Sequence, residues 1–202
     1  VNKDLSNNHI QSQSIIQDSL GTIWIGTWGG LNKMLENRTN EAQTIDGVVV
    51  EPHSIAFKYY LPNWKQKGSI SDDKLTSLFL DSHNNIWIGT HGRGLNRFDL
   101  KSESFRYFKM KDGLVDNYIY STLEDQFGNI WASTRKGLSR VSTTNFIIKN
   151  FTAADGLVSS SFYRGASFRC KSGELIFGGS NGYSILAPHE IIDNPIAPPI
   201  VI

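Results

Sequence analysis

Apolar and polar positions along residues 118–151 fall into four short runs, at 118–125, 130–134, 138–142 and 146–151. The run at 130–134 is rich in β-formers, the run at 138–142 alternates apolar with polar, and Gly, Asn, Asp or Ser bounds each one. This is the pattern of half-buried strands joined by tight turns. No segment keeps a helical apolar period beyond one turn, and a short turn near 189–192 is the sole helix expectation.

The same run of residues recurs. Asp-x-x-Gly/Asn-x-Ile-Trp appears with its Asp at Asp18, Asp81 and Asp125 and its Trp at Trp24, Trp87 and Trp131. A Gly-Leu pair follows at Gly30, Gly94 and Gly137. A weaker fourth copy starts at Cys170 and carries Ile176 where the others carry Trp. Successive copies lie 63, 44 and 45 residues apart, so about 19 extra residues separate the first two. The surplus falls in 36–52, which reads as an elaborated loop with short strands at 48–50. A period in the low forties with one Trp and several Gly per unit fits a four-stranded propeller blade. The expected fold is therefore all-β: about four antiparallel blades at 3–67, 68–111, 112–154 and 155–187. Four blades form an incomplete propeller, with open sheet faces and edges.

The repeated residues read as structural. Gly21, Gly128 and Gly173 sit where a strand-to-strand turn needs positive φ, and Asn84 takes that place in the second copy. The Asp ends a strand just before this turn, where its carboxylate can accept backbone N–H bonds. The repeat sets these Asp one blade apart, too far for a shared ion. The Trp is expected to pack between neighbouring sheets; the alternative is a sugar-stacking platform.

Composition adds exclusions. Twenty basic and 19 acidic residues leave a net charge of +1, which gives no basic excess for nucleic acid. The single Cys170 excludes an internal disulfide and any multi-Cys metal site. The five His have no ligand spacing, and no cofactor or metal is expected. No run is apolar enough to cross a bilayer as a helix. The chain starts at Val1 without an initiator Met or a signal peptide, so it is expected to be an internal piece of a longer polypeptide.

Residues 81–114 carry a resemblance. They read Asp-x-x-Asn-Asn-Ile-Trp-Ile-Gly-Thr, then Gly94-Leu95-Asn96-Arg97-Phe98-Asp99, Phe105-Arg106-Tyr107-Phe108 and Asp112-Gly113-Leu114. With Asp155-Gly156-Leu157 and a degenerate copy at 5–8, this resembles the two-component regulator propeller repeat over roughly residues 3–187. The resemblance implies the closing blades of a propeller that runs, at 188–202, through a linker into the first strand of an Ig-like β-sandwich. It implies a periplasmic ectodomain of an inner-membrane sensor, whose cytoplasmic part is a histidine kinase or a diguanylate cyclase. The best understood members respond to oligosaccharides. The expected function is ligand sensing without catalysis, with a lectin-like or protein-binding scaffold, or a propeller lyase, as the alternatives.

Unrepeated residues at repeated turns are the candidate carriers of function. These are Trp28 in the first unit, His91 and Arg93 in the second, Arg135 and Lys136 in the third and Asn181 in the fourth. Trp stacking and Arg or Lys donors suit a polyhydroxylated or anionic small molecule. The expected partners are such a small-molecule ligand, with an oligosaccharide as the candidate class, and other copies through open blade edges, but no nucleic acid. A membrane would be reached only through other parts of a longer protein.

Overall fold

The computed structural model describes residues 4–191. The first sheet is built from β1 (Ile10–Gln17), β2 (Ile23–Thr27), β3 (Gly30–Asn37) and, after a hairpin of β4 (Gln43–Ile45) and β5 (Val48–Val50), β6 (Ser54–Tyr60). The surplus residues of the first repeat thus form a two-stranded hairpin of their own. The second sheet holds β7 (Leu75–Leu80), β8 (Asn85–Thr90), β9 (Leu95–Asp99) and β10 (Ser104–Phe108). The third holds β11 (Ile119–Glu124), β12 (Ile130–Thr134), β13 (Leu138–Val141) and β14 (Ile148–Phe151). The fourth has three strands, β15 (Phe162–Arg169), β16 (Leu175–Gly179) and β17 (Gly182–Leu186). Neighbours within all four sheets are antiparallel. The N-terminal strand β1 pairs with β2 as the inner strand of the first blade and does not complete the fourth.

One device closes the turn of each of the first three blades. In the second blade, one Asp81 oxygen accepts the main-chain N–H groups of His83 (2.9 Å) and Asn85 (2.8 Å). The other accepts the indole N–H of Trp87 at 2.8 Å. Trp24 donates to Asp18, and Trp131 to Asp125, at the same 2.8 Å. The Asp does more than an Asx-turn requires: it ties the turn to the buried Trp. In the fourth blade both partners are replaced together, Asp by Cys170 and Trp by Ile176. The backbone turn survives, with Cys170 N–H donating to Glu174 and Gly173 N–H to Cys170. Losing both partners leaves no buried carboxylate without its donor.

The core lies between blades. Trp24 packs with Leu75, Leu78, Ile86 and Ile88 of the second blade. Trp87 packs with Ile119, Ile130 and Ala132 of the third, and Trp131 with Phe162, Leu175 and Phe177 of the fourth. Each joint sets a Trp against the apolar face of the next blade, rich in Ile in the first two joints and in Phe and Leu in the third. The end blades keep one such face each without this cover. On the first blade Ile15 is 56% exposed, and Ile23 and Ile25 are half-buried where their counterparts Ile86 and Ile88 are fully buried. On the fourth, Phe168, Ile176 and Ile185 form a cross-strand row with Phe168 64% exposed. Near the centre, Gln13 of β1 donates its side-chain amide to the carbonyls of Gly165 and Ser167 in β15, at 3.2 and 3.3 Å.

The expected turn near 189–192 is a 3-10 turn at Pro188–Glu190. Two further 3-10 turns, at Met110–Asp112 and Ala153–Asp155, were not foreseen. Each ends on the Gly of an Asp-Gly-Leu tripeptide, Gly113 or Gly156, in a left-handed conformation. Three residues are too few to show a helical period, which is why the pattern missed them. The expected sandwich strand at 198–202, and most of the linker before it, lie outside the described residues.

Candidate ligand-binding site

The turn between the second and third strand of each blade is held by the Thr of the repeat. Thr27, Thr90 and Thr134 donate their hydroxyls to the carbonyls of Gly30, Gly94 and Gly137 at 3.2, 2.7 and 2.8 Å. Their oxygens also accept main-chain N–H groups within the turn, from Gly29, Arg93 and Lys136. The turn then reaches the start of the next blade: Gly30 N–H donates to Asp73, and Gly94 N–H to Asn117. Residue 28, 91 or 135 is thereby presented beside the residue that precedes an inner strand.

Those preceding residues are His9, Lys74 and Tyr118, and they complete a ridge across three blades. His9 and Trp28 have ring centroids 4.0 Å apart, Trp28 and His91 5.7 Å, and His91 and Tyr118 4.9 Å. The Arg135 guanidinium lies 3.6 Å from the Tyr118 ring centroid, and the Lys74 ammonium 5.7 Å from that of Trp28. A main-chain bridge joins His91 to Tyr118. In the fourth blade the corresponding positions are Ser161 and Ser180, whose short side chains end the ridge.

Charge is arranged along this ridge. Asp116, almost fully buried, accepts from Arg135 Nε at 2.9 Å and Nη2 at 3.3 Å, and this bond raises the guanidinium pKa further. Burial, and then the positive charges of Arg164, Lys74 and Arg135, hold the His91 imidazole below its ordinary value. His91 is therefore neutral at pH 7. Burial raises the carboxyl of Asp72, opposed by the N–H of Lys74. The indole N–H of Trp28 is buried and has no hydrogen-bond partner among the described residues. Beside the ridge opens a cleft of about 790 Å³, whose walls include Asp72, Lys74, His91, Arg93, Lys109 and Tyr118. The described residues contain no cluster of three or more His, Cys, Asp or Glu that could hold a metal ion.

The structure brings together Trp28, His91 and Arg135 of the six candidates. Arg93 lines the same cleft, but its guanidinium lies 4.5 Å from the ring centroid of Trp64, away from the ridge. Lys136 and Asn181 are exposed and make no contact with the ridge rings. Lys136 lies one residue beyond the position that meets the next blade, and Asn181 belongs to the blade whose ridge positions are serines. His9, Lys74 and Tyr118 were missed. Their signal was present: aligning the repeats on the inner strands puts all three in one column.

The family model of the two-component regulator propeller matches residues 4–29, 69–92 and 113–136. Histidine kinase P4 of Formosa agariphila is 27% identical over 199 residues, which are 98% of this chain and 13% of that protein. The extracellular domain of a hybrid two-component system from B. thetaiotaomicron superimposes with a TM-score of 0.70 at 28% identity, over 93% of this chain and 23% of that one. A virginiamycin B lyase from Staphylococcus aureus gives a TM-score of 0.56 at 16% identity, over 93% of this chain and 59% of the lyase, and shares the fold alone. The chain thus spans 13% of the kinase and 23% of the ectodomain it resembles. Among the described residues no helix is long and apolar enough to cross a membrane. The three matched segments run through the Asp–Trp turns and the ridge positions, and over them this chain is similar to the two-component regulator propeller repeat.

Proposed function

We propose that this chain is part of the signal-input region of an extracytoplasmic two-component sensor and that it binds its ligand without transforming it. The carrying observation is the ridge from His9 through Trp28, His91 and Tyr118 to Arg135, formed by residues outside the repeat motif at positions the repeat aligns. Rings offer flat faces to the C–H surface of a sugar, and Lys74 and Arg135 offer donors to hydroxyl or acidic groups. An oligosaccharide that lies across several blades matches this shape. The likeness to the extracellular domain of a hybrid two-component system supports the sensor reading and an extracytoplasmic location, of which a periplasmic one is the form proposed.

The non-catalytic reading rests on His91. Its ring nitrogens have no carboxylate or hydroxyl partner among the described residues, whereas a general base is normally oriented by one. The lyase alternative has only the shared fold in its favour, and the lectin-like alternative would use the same ridge but lacks the support that the likeness to a sensor ectodomain gives.

The test is the response of the full-length protein in its own cells to oligosaccharides, read as output from its signalling pathway. Trp28→Ala is expected to raise the concentration needed for half-response about tenfold, the loss of a stacking contact of about 1.4 kcal/mol. Trp28→Phe is expected to recover most of the response, and Lys136→Ala to leave it unchanged. An unchanged response in Trp28→Ala would remove the ridge from the account.

A further inference from the structure

Five tryptophans are present, of which three fill the joints between blades and Trp28 builds the ridge. Trp64 remains, and it is 67% exposed. It stands on the segment between β6 and β7, which belongs to no repeat motif. That segment is pinned: Asn63 N–H donates to the Ser69 hydroxyl at 3.2 Å, and that hydroxyl donates back to the Asn63 carbonyl at 2.9 Å. Lys65 N–H donates to the Asn63 side chain at 3.1 Å, and Phe105 N–H of β10 to the Gly68 carbonyl at 3.0 Å. A large aromatic ring is therefore held at the surface by a hydrogen-bonded loop.

The surroundings of Trp64 are cationic. A pocket of about 190 Å³ is walled by Trp64, Lys67, Ser71, Arg93, Tyr107 and Lys109 among others. No carboxylate lines it. Arg93 lies over the Trp64 ring, and the Lys109 ammonium lies 4.7 Å from the Tyr107 ring centroid. Stacking leaves the in-plane N–H donors of a guanidinium free. None of Lys67, Arg93 and Lys109 forms an ion pair among the described residues. Two carboxylates lie nearby: Asp112 accepts the Lys109 main-chain N–H at 3.0 Å, and Asp72 accepts that of Asp73 at 3.0 Å and feels the charge of Arg93 without forming an ion pair with it.

We propose that this pocket is a second binding site, for a single sugar ring carrying a carboxylate or a sulfate. The apolar face of the ring rests against the Trp64–Tyr107 side, and the anionic group meets Arg93, Lys67 and Lys109. The volume is below the roughly 300–1,000 Å³ of pockets for drug-sized ligands and suits one ring. The site does not depend on the ridge. Arg93 and Lys109 also line the larger cleft, so Trp64 and Lys67 are the residues that isolate this pocket.

The experiment titrates the full chain with glucuronate, glucose 6-sulfate, glucose and adenosine monophosphate by calorimetry. At least one of the two acidic sugars is expected to bind at least tenfold more tightly than glucose, and the one that binds names the anionic group. Trp64→Ala and Lys67→Glu are expected to abolish this binding at an unchanged melting temperature, while Lys136→Ala, outside both sites, leaves it intact. Four results overturn the proposal: no binding of either acidic sugar, equal binding of glucose, tighter binding of the nucleotide, or binding that survives Trp64→Ala.

Discussion

Trp87→Ala is expected to lower stability by about 3–5 kcal/mol, the range for removing a large buried aromatic. Trp87 is 0% exposed and sits in the joint between the second and third blades, against Ile119, Ile130 and Ala132. Two costs combine. The joint loses apolar contact and keeps a cavity, and the Asp81 carboxylate loses its indole donor. Trp87→Phe keeps part of the joint, because its smaller ring still fills some of the space, but it leaves the Asp81 carboxylate without its donor; about 1–3 kcal/mol is expected for it. Urea unfolding of the two variants reads both values. A loss below about 1 kcal/mol for Trp87→Ala would mean that the blades are not held by their joints.

Gly94→Ala is expected to be comparably damaging for a different reason. Gly94 has φ +89°, and a Cβ there would stand 2.0 Å from the carbonyl oxygen of Phe108. That oxygen is backbone, so relief requires β9 and β10 to separate. Strain from the left-handed backbone costs about 1–3 kcal/mol, and overpacking adds about 1–3 kcal/mol. Gly47→Ala is the control, since Gly47 has φ +77° on its hairpin turn and a Cβ there would meet nothing within 4 Å. It is expected to cost about 1 kcal/mol, the backbone part alone. Equal melting temperatures for the two variants would contradict the contact between Gly94 and Phe108.

These two residues show what was legible in the sequence. Trp87 and Gly94 recur in register with Trp24, Trp131, Gly30 and Gly137, and a residue repeated once per blade announces a role in building the blade. The strands, the order of the sheets and the loop inserted at 36–52 follow from that register. The bond from Trp to Asp does not, because it depends on a side chain folding back over a turn. Nor does the paired loss at Cys170 and Ile176 make sense until that bond is seen.

The site was legible by half. Trp28, His91 and Arg135 stand out because they vary where the repeat is constant. Their neighbours His9, Lys74 and Tyr118 belong to strand starts; His9 meets Trp28 across the sheet of its own blade, and Lys74 and Tyr118 meet Trp28 and His91 only when one blade's turn docks on the next. Trp28 and Lys74 touch across 46 residues of chain, which no local pattern reports. Lys136 and Asn181 have the same chemistry in adjacent turn positions, and both side chains are exposed. Trp64 lies outside the repeat altogether, so an alignment of repeats passes over it.

Calorimetric titration of the full-length protein with oligosaccharides, followed by mass analysis of the recovered ligand, decides whether the ridge binds a sugar without transforming it. Saturable binding that Trp28→Ala weakens about tenfold is expected, with the ligand recovered intact. Cleavage of the ligand, or unaltered binding in the double variant Trp28→Ala/His91→Ala, would contradict it.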